Sequence, residues 1–347
     1  MDTPKRLLRA PSGEAVLPPP IWLMRQAGRY LPEYRAIRSE TKDFITLCTT
    51  PELAIEVTLQ PIRRYRLDGA ILFSDILMVP WALGQGLAFR EGEGPVLPPL
   101  RDAAAVAALD PGKARDCIAP ILQTVRGIRR TLQAEGLGDT TLIGFAGSPF
   151  TVACCMVEGG GSRDFAATRS MAFGNPALFT QLLDILVDAT VSYLSAQIEA
   201  GAEAVMLFDS WAGVLSPAQF RTHVVRTTRT IVDALGHRYP TVPVIGFPRL
   251  AGLLIGEYVR ETGVRAVGLD TGTDLGRARS LMPARVVFQG NLDPMALLAG
   301  GDAMRAEAAG ILATMRDWPF VFNLGHGIVP QTPSAHVAEL VEQVRAA

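Results

Sequence analysis

Short apolar, β-prone runs recur along the chain, each closing on small or polar residues. Eight of them are predicted strands: Ile21–Met24, Ala70–Phe73, Thr141–Phe145, Ala204–Phe208, Val242–Phe247, Ala266–Leu269, Arg285–Phe288 and Phe320–Phe322. Each is short and barely alternates, as a strand covered on both faces should be. Helix signals lie between them. Proline follows a capping residue at Thr50-Pro51, Asp110-Pro111, Asn175-Pro176, Ser216-Pro217, Asp293-Pro294 and Thr332-Pro333, the arrangement of a helix N-terminus. Ser216 with Gln219 fits a capping box. Leu182, Leu186, Ala189, Tyr193 and Gln197 mark one side of a long helix ending near Gly201.

Buried strands alternating with helices predict an α/β fold, a single (β/α)8 barrel of parallel strands spanning residues 1–347. Residues 1–20 form a lead-in segment and the Gly/Pro-rich 84–99 a loop. A doubly wound open sheet is the alternative, but no GxGxxG motif follows a strand.

Composition narrows the chemistry. The 347 residues are 48% apolar and 19% charged, enough for one sizeable core. Lys+Arg number 33 and Asp+Glu 34, so the net charge of −1 gives no general attraction to nucleic acid or an anionic membrane. The N-terminal run Met1-Asp2-Thr3-Pro4-Lys5-Arg6 lacks the apolar stretch of a secretory signal. The longest uncharged run, 140–157, is broken by Pro149 and does not read as a membrane span. A soluble, cytoplasmic protein is expected. Four cysteines without a CxxC pair argue for reduced thiols and against a structural zinc site. Only three lysines occur, Lys5, Lys42 and Lys113, and none ends a predicted strand. Schiff-base and pyridoxal phosphate chemistry, which need a positioned lysine, are therefore not expected.

In such barrels chemistry sits on the loops after the strands. Those positions hold Arg25, Arg29, Asp75, Ser148, Asp209, Ser210, Asp270, Asn291, Asp293, Asn323 and His326. Arginines with a carboxylate and a histidine suit a polyanionic ligand. Arg25 and Arg29 are four apart, so a helical turn would aim both guanidinium groups one way. A solvated helix face is the bland alternative, but Gly28 interrupts the run and a predicted strand precedes it. Asp75 between apolar residues is either a helix cap or a functional carboxylate. His326 stands between two glycines, which allow close approach of backbone to a ligand. Glu158-Gly159-Gly160-Gly161-Ser162 reads as a flexible loop rather than a phosphate cradle.

PIWLMRQAGRYLPEYR at 20–35, FSDIL at 73–77, GFAGSPFTVACCMVEGGGS at 144–162, QGNLDP at 289–294 and NLGHG at 323–327 together resemble the uroporphyrinogen decarboxylase family. The resemblance runs over roughly residues 4 to 345, in the family's order. It implies removal of four acetate carboxyl groups from uroporphyrinogen to give coproporphyrinogen, by a homodimeric barrel with no metal or organic cofactor. It also implies roles. Arg25 and Arg29 match arginines that hold substrate carboxylates, Gln26, Ala27 and Gly28 the backbone between them, and Arg38 a further arginine near the site. Asp75 matches the aspartate facing the pyrrole N–H groups, and Ser210 and His326 match propionate-binding positions. Two positions depart from the family pattern: Cys155 stands where tyrosine is usual, and Phe150 replaces tryptophan. Other readings are a cobalamin-linked methyltransferase, for which Cys48 and Cys117 lack ligand partners nearby, and a non-catalytic porphyrinogen-binding protein disabled at Cys155.

Overall fold

The structure, a computed structural model, describes residues 4–90, 94–282 and 286–347. Nine strands are present among them: β1 (Gly69–Ile71), β2 (Ala88–Arg90), β3 (Gly94–Val96), β4 (Thr141–Gly147), β5 (Ala204–Asp209), β6 (Val244–Pro248), β7 (Ala266–Gly268), β8 (Val287–Leu292) and β9 (Phe320–Leu324). Seven pair in parallel in the order β1-β4-β5-β6-β7-β8-β9, and β2 and β3 form a separate antiparallel pair. Helices join successive parallel strands, as a parallel sheet requires. Every residue of β4, β6, β8 and β9 is buried, which accounts for the continuous apolar runs in the sequence.

The Ile21–Met24 segment is not a regular strand. It contributes one parallel bridge, Ile21 to Phe322, yet it closes the barrel. On one side Phe322 N–H donates to Pro20 O at 2.8 Å and Trp22 N–H to Phe322 O at 3.3 Å; on the other, Asp68 N–H donates to Ile21 O at 2.9 Å. Beyond Ile21 the ladder stops because side chains take over the backbone donors. Leu23 N–H donates to Gln26 Oε1 at 3.0 Å and Met24 N–H to Asn323 Oδ1 at 2.8 Å. The eighth barrel position is thus filled by a bent segment held between β9 and β1.

The sequence locates the other strands well but misjudges their limits. β4, β5, β8 and β9 extend past the predicted ends through Gly147, Asp209, Leu292 and Leu324, since buried polar and glycine residues continue the ladder. Arg285, the predicted start of β8, lies outside the described residues. The 84–99 segment carries the β2–β3 pair instead of being wholly a loop. Thr50, Asp110, Asn175, Ser216 and Asp293 do precede helices, but the last helix starts at Ser334 behind Pro333. The Ser216 capping box is half made: Gln219 N–H meets Ser216 Oγ at 3.5 Å, whereas Gln219 Oε1 pairs with His223 Nε2 at 2.6 Å.

The Pro176–Ala200 helix is long and apolar enough to cross a membrane by length and composition, but here its buried face, including Leu182, Leu186 and Tyr193, packs inside the fold. Gln197 on that face forms a two-point clamp on β4, accepting from Phe145 N–H and donating to Phe145 O, both at 2.9 Å. The clamp supplies partners where β1 has already ended, at Ile71 opposite Ile143. Gln197→Leu should strand both backbone groups in an apolar setting, lowering the unfolding free energy by about 2–4 kcal/mol. Urea denaturation of the two proteins measures this directly, and a loss below about 0.5 kcal/mol would mean that the clamp contributes little.

Candidate active site

The 24–30 segment is a series of turns, not a helix, so the predicted i, i+4 alignment of Arg25 and Arg29 does not arise from helical geometry. A different constraint aims Arg25. Its backbone takes a left-handed φ of 62°, a conformation costing a non-glycine residue of order 1 kcal/mol or more. Its side chain lies across Gly327, where a Cβ would fall 2.3 Å from Arg25 Cδ. The glycine after His326 is therefore the seat of Arg25. Ile328 N–H to Met24 O at 2.9 Å fastens the two loops together.

Gln26 is fully buried and faces inward. Its amide accepts from Leu23 N–H and donates to Gly69 O at 3.0 Å, while Tyr30 Oη donates to Gln26 O at 2.9 Å. The residue ties the arginine loop to β1. Ala27 and Gly28 are half-buried, Arg25 and Arg29 are exposed to solvent, and each arginine is free of ion pairs among the described residues. Arg38 lies near the end of the Pro32–Glu40 helix and donates to Thr41 O at 3.1 Å.

Asp75 follows β1 in a half-buried turn and accepts from Leu77 N–H at 2.8 Å. Burial raises its proton affinity above the ordinary carboxylate value, opposed by that N–H and by the charge of Arg25. Arg25 shows the counterpart: although open on one side, its charge is walled in by protein, which lowers its pKa, with Asp75 opposing and Arg29 and Arg249 adding to the depression. His326 is held down to about 4 by burial, Arg25 and Arg249, so near pH 7 it is a neutral imidazole. Cys155 is half-buried, and burial, followed by the charge of Asp75, pushes its thiol up to about 12, against a hydrogen bond with Trp211. Electrostatics thus join Arg25, Asp75, His326 and Cys155 at one mouth of the barrel.

Ser210 comes one residue after β5 and is half-buried. Its loop is pinned by a residue that sequence reading did not single out. Thr151 Oγ1 donates to Asp209 Oδ1 at 2.5 Å and accepts from Trp211 N–H at 3.1 Å. The only hint was Thr151's place one turn into the helix opened by Ser148-Pro149. Tyr193, read from its spacing as a core residue of the long helix, brings its phenol to 3.4 Å from Ser74 Oγ beside Asp75. The other strand-end polar residues are structural: Asp270 accepts from Leu250 N–H at 2.6 Å, Asn291 donates to Asp270 O, Asp293 caps a helix, and Asn323 holds Met24. Ser148 Oγ is buried without a partner among the described residues. At the head of the 158–162 run, Glu158 ends the Pro149–Glu158 helix and accepts from Thr168 N–H and Oγ1 at 2.9 Å.

The chain matches the family described as Uroporphyrinogen decarboxylase (URO-D) over residues 2–347. It belongs to the uroporphyrinogen decarboxylase family. Relatives named uroporphyrinogen decarboxylase include one from Gluconacetobacter diazotrophicus, 59% identical and covering 99% of both chains. Another, from Rhodospirillum rubrum, is 52% identical over 99% of this chain and 98% of its own. A solved methyltransferase structure from Methanosarcina mazei shares the fold with a TM-score of 0.76 at 21% identity, over 98% of this chain and 97% of that one. Such a likeness carries the fold alone. In this member of the uroporphyrinogen decarboxylase family the motif segments that carried the resemblance meet around one barrel mouth.

Asp209 offers a pH test of this architecture. It is 1% exposed, its Oδ2 has no partner among the described residues, and burial pushes its carboxyl up to about 7 despite the Thr151 hydrogen bonds. Above an ordinary value near 4 the unfolded chain gives up this proton while the folded chain keeps it. Stability should therefore fall as pH rises from about 4 to about 7. Asp209→Asn removes the effect, so its stability relative to the parent should climb by up to about 1.4 kcal/mol per pH unit through that window and then level off. Denaturation curves at several pH values test this, and a pH-independent difference would contradict it.

Proposed function

We propose that the protein converts uroporphyrinogen to coproporphyrinogen by removing its four acetate carboxyl groups, with Arg25, Arg29 and Asp75 as the central groups. The reading rests above all on Arg25, aimed by a left-handed backbone and the Gly327 seat into the electrostatic field of Asp75, in a member of this family.

Loss of CO2 from an acetate side chain would leave a poorly stabilised carbanion. Protonation of the neighbouring pyrrole carbon first turns the ring into a cationic electron sink. The carbon–carboxyl bond then breaks, its electron pair enters the ring as an exocyclic double bond, and CO2 departs. The exocyclic carbon takes up a proton to become methyl, and the ring carbon returns the one it received. Each turn replaces a carboxylate and one proton by CO2 and a C–H bond. Asp75 acts here as a carboxylate whose negative charge stabilises the cationic ring. Arg25 and Arg29 grip peripheral carboxylates through paired N–H groups. The backbone of Gln26, Ala27 and Gly28 lines the gap between them, with Arg38 at the rim. His326 near neutral pH and Ser210 are uncharged partners for propionates. We place the reaction in the cytoplasm, in a homodimer acting on its porphyrinogen without nucleic acid, membrane, metal or organic cofactor. The lysines accord with that: Lys5 pairs with Glu203 at 2.8 Å, away from the mouth, and Lys113 with Asp110.

Asp75→Asn keeps the size of the side chain and removes its charge. Turnover should drop by roughly 10²–10³ with the fold intact, as steady-state assays and circular dichroism on the purified variant would record. Near-native kcat would remove Asp75 from this role.

Cys155 lies within the electrostatic reach of the same carboxylate. A phenol there would donate a stronger hydrogen bond than a thiol, a gain of about 0.5–1.5 kcal/mol. Cys155→Tyr should therefore raise kcat/KM by up to roughly tenfold over an already active parent. A lower melting temperature together with lower activity would instead show that the pocket has closed around the smaller side chain. An inactive parent whose activity appears only in the variant would favour the disabled binding protein.

A further inference from the structure

Arg249 lies immediately after β6, in ring order between Ser210 at the end of β5 and Asp270 beyond β7. Its backbone is fastened on several sides. Arg249 N–H donates to Asp209 O at 3.1 Å and to Phe247 O at 3.0 Å, and Gly213 N–H donates to Arg249 O at 3.1 Å. The next residue, Leu250, is held at a left-handed φ of 60°, with its N–H on the Asp270 carboxylate at 2.6 Å. Gly213 has no room for a side chain there, since a Cβ would fall 2.3 Å from Leu250 Cβ. The strained backbone at Leu250, held by these contacts, fixes the course of the chain directly after Arg249.

That side chain is a half-buried guanidinium without an ion pair among the described residues. Its charge reaches Arg25 and His326 alike, adding to the burial that already disfavours their protonated forms. Three arginines, Arg25, Arg29 and Arg249, therefore crowd a mouth where Asp75 is the acidic group acting on Arg25. Like charges brought together in excess of the nearby carboxylate destabilise the empty protein and favour a polyanion. Uroporphyrinogen carries eight carboxylates, more than Arg25 and Arg29 can match.

We propose that Arg249 is a third substrate-gripping guanidinium, which takes a peripheral carboxylate of uroporphyrinogen from the β6 side of the barrel mouth. The proposal rests on the reading of Arg25 and Asp75 as the decarboxylation site. Its role is binding and orientation, so it weighs on KM more than on kcat.

The test is steady-state kinetics on uroporphyrinogen with Arg249→Gln, Arg249→Lys and Arg25→Gln, each checked for folding by circular dichroism. Arg249→Gln should raise KM by about tenfold or more, the scale of one charge-assisted hydrogen bond, with kcat within about threefold of the parent. Arg249→Lys restores the charge and should bring KM back to within about threefold, a rescue that a purely structural arginine would not give. An unchanged KM in Arg249→Gln beside a raised KM in Arg25→Gln overturns the proposal and leaves the site reading standing. Unchanged KM in both overturns the site reading and the proposal with it. If Arg249→Gln does not fold, Arg249→Met, which keeps the apolar stem, carries the same comparison.

Discussion

The barrel mouth depends on one closure. Residues 20–24 fill the gap between the two edge strands, β9 and β1, through the Phe322–Pro20, Trp22–Phe322 and Asp68–Ile21 hydrogen bonds. An unclosed parallel sheet would leave two unpaired edges. More consequentially for chemistry, the closure brings a loop from the start of the chain against one from its end. Arg25 acquires its direction only because Gly327, about 300 residues later in the sequence, leaves room for its stem. Gln26 and Asn323, both fully buried, replace the missing ladder bonds with side-chain amides, so the bend that ends the strand also builds the site.

The charges at this mouth are tuned by the same enclosure. Protein walls raise the proton affinity of Asp75 and lower that of Arg25 and His326, so each charged form is less comfortable than in water. A polyanionic substrate that turns locally cationic during reaction relieves both kinds of discomfort at once. In the proposed reaction its carboxylates compensate the arginines, and its ring compensates Asp75. Where the substrate fits, desolvation strengthens these interactions instead of opposing them.

Much of this was legible in the sequence, and the exceptions share a cause. Buried parallel strands leave unmistakable apolar runs, so seven of the predicted runs overlap sheet strands. Runs that end in polar or glycine residues, such as Asn291 in β8 and Gly147 in β4, were cut short because composition suggested a loop. The Ile21 segment looked like any other strand, since apolarity cannot reveal that side chains take over its backbone donors. The motif residues Arg25, Asp75 and His326 were visible from type and position, but the reason Arg25 points where it does was not. That reason lies in a contact between residues far apart in sequence. Thr151 and Arg249 were missed for a similar reason, because their significance comes from neighbours contributed by other strands.

Closure by the first segment also sets an order of events during synthesis. The ribosome releases residues 20–24 about 300 residues ahead of their partner, β9. Until β9 emerges, this segment has one edge to pair with, along β1, and Arg25 has no seat. A nascent chain stopped before residue 320 can therefore acquire helices and neighbouring strands, as vectorial folding allows, yet it cannot assemble an arginine-bearing mouth. The site appears only once β9 has joined the sheet, so fragments that stop short of it carry an open sheet edge and no closed mouth.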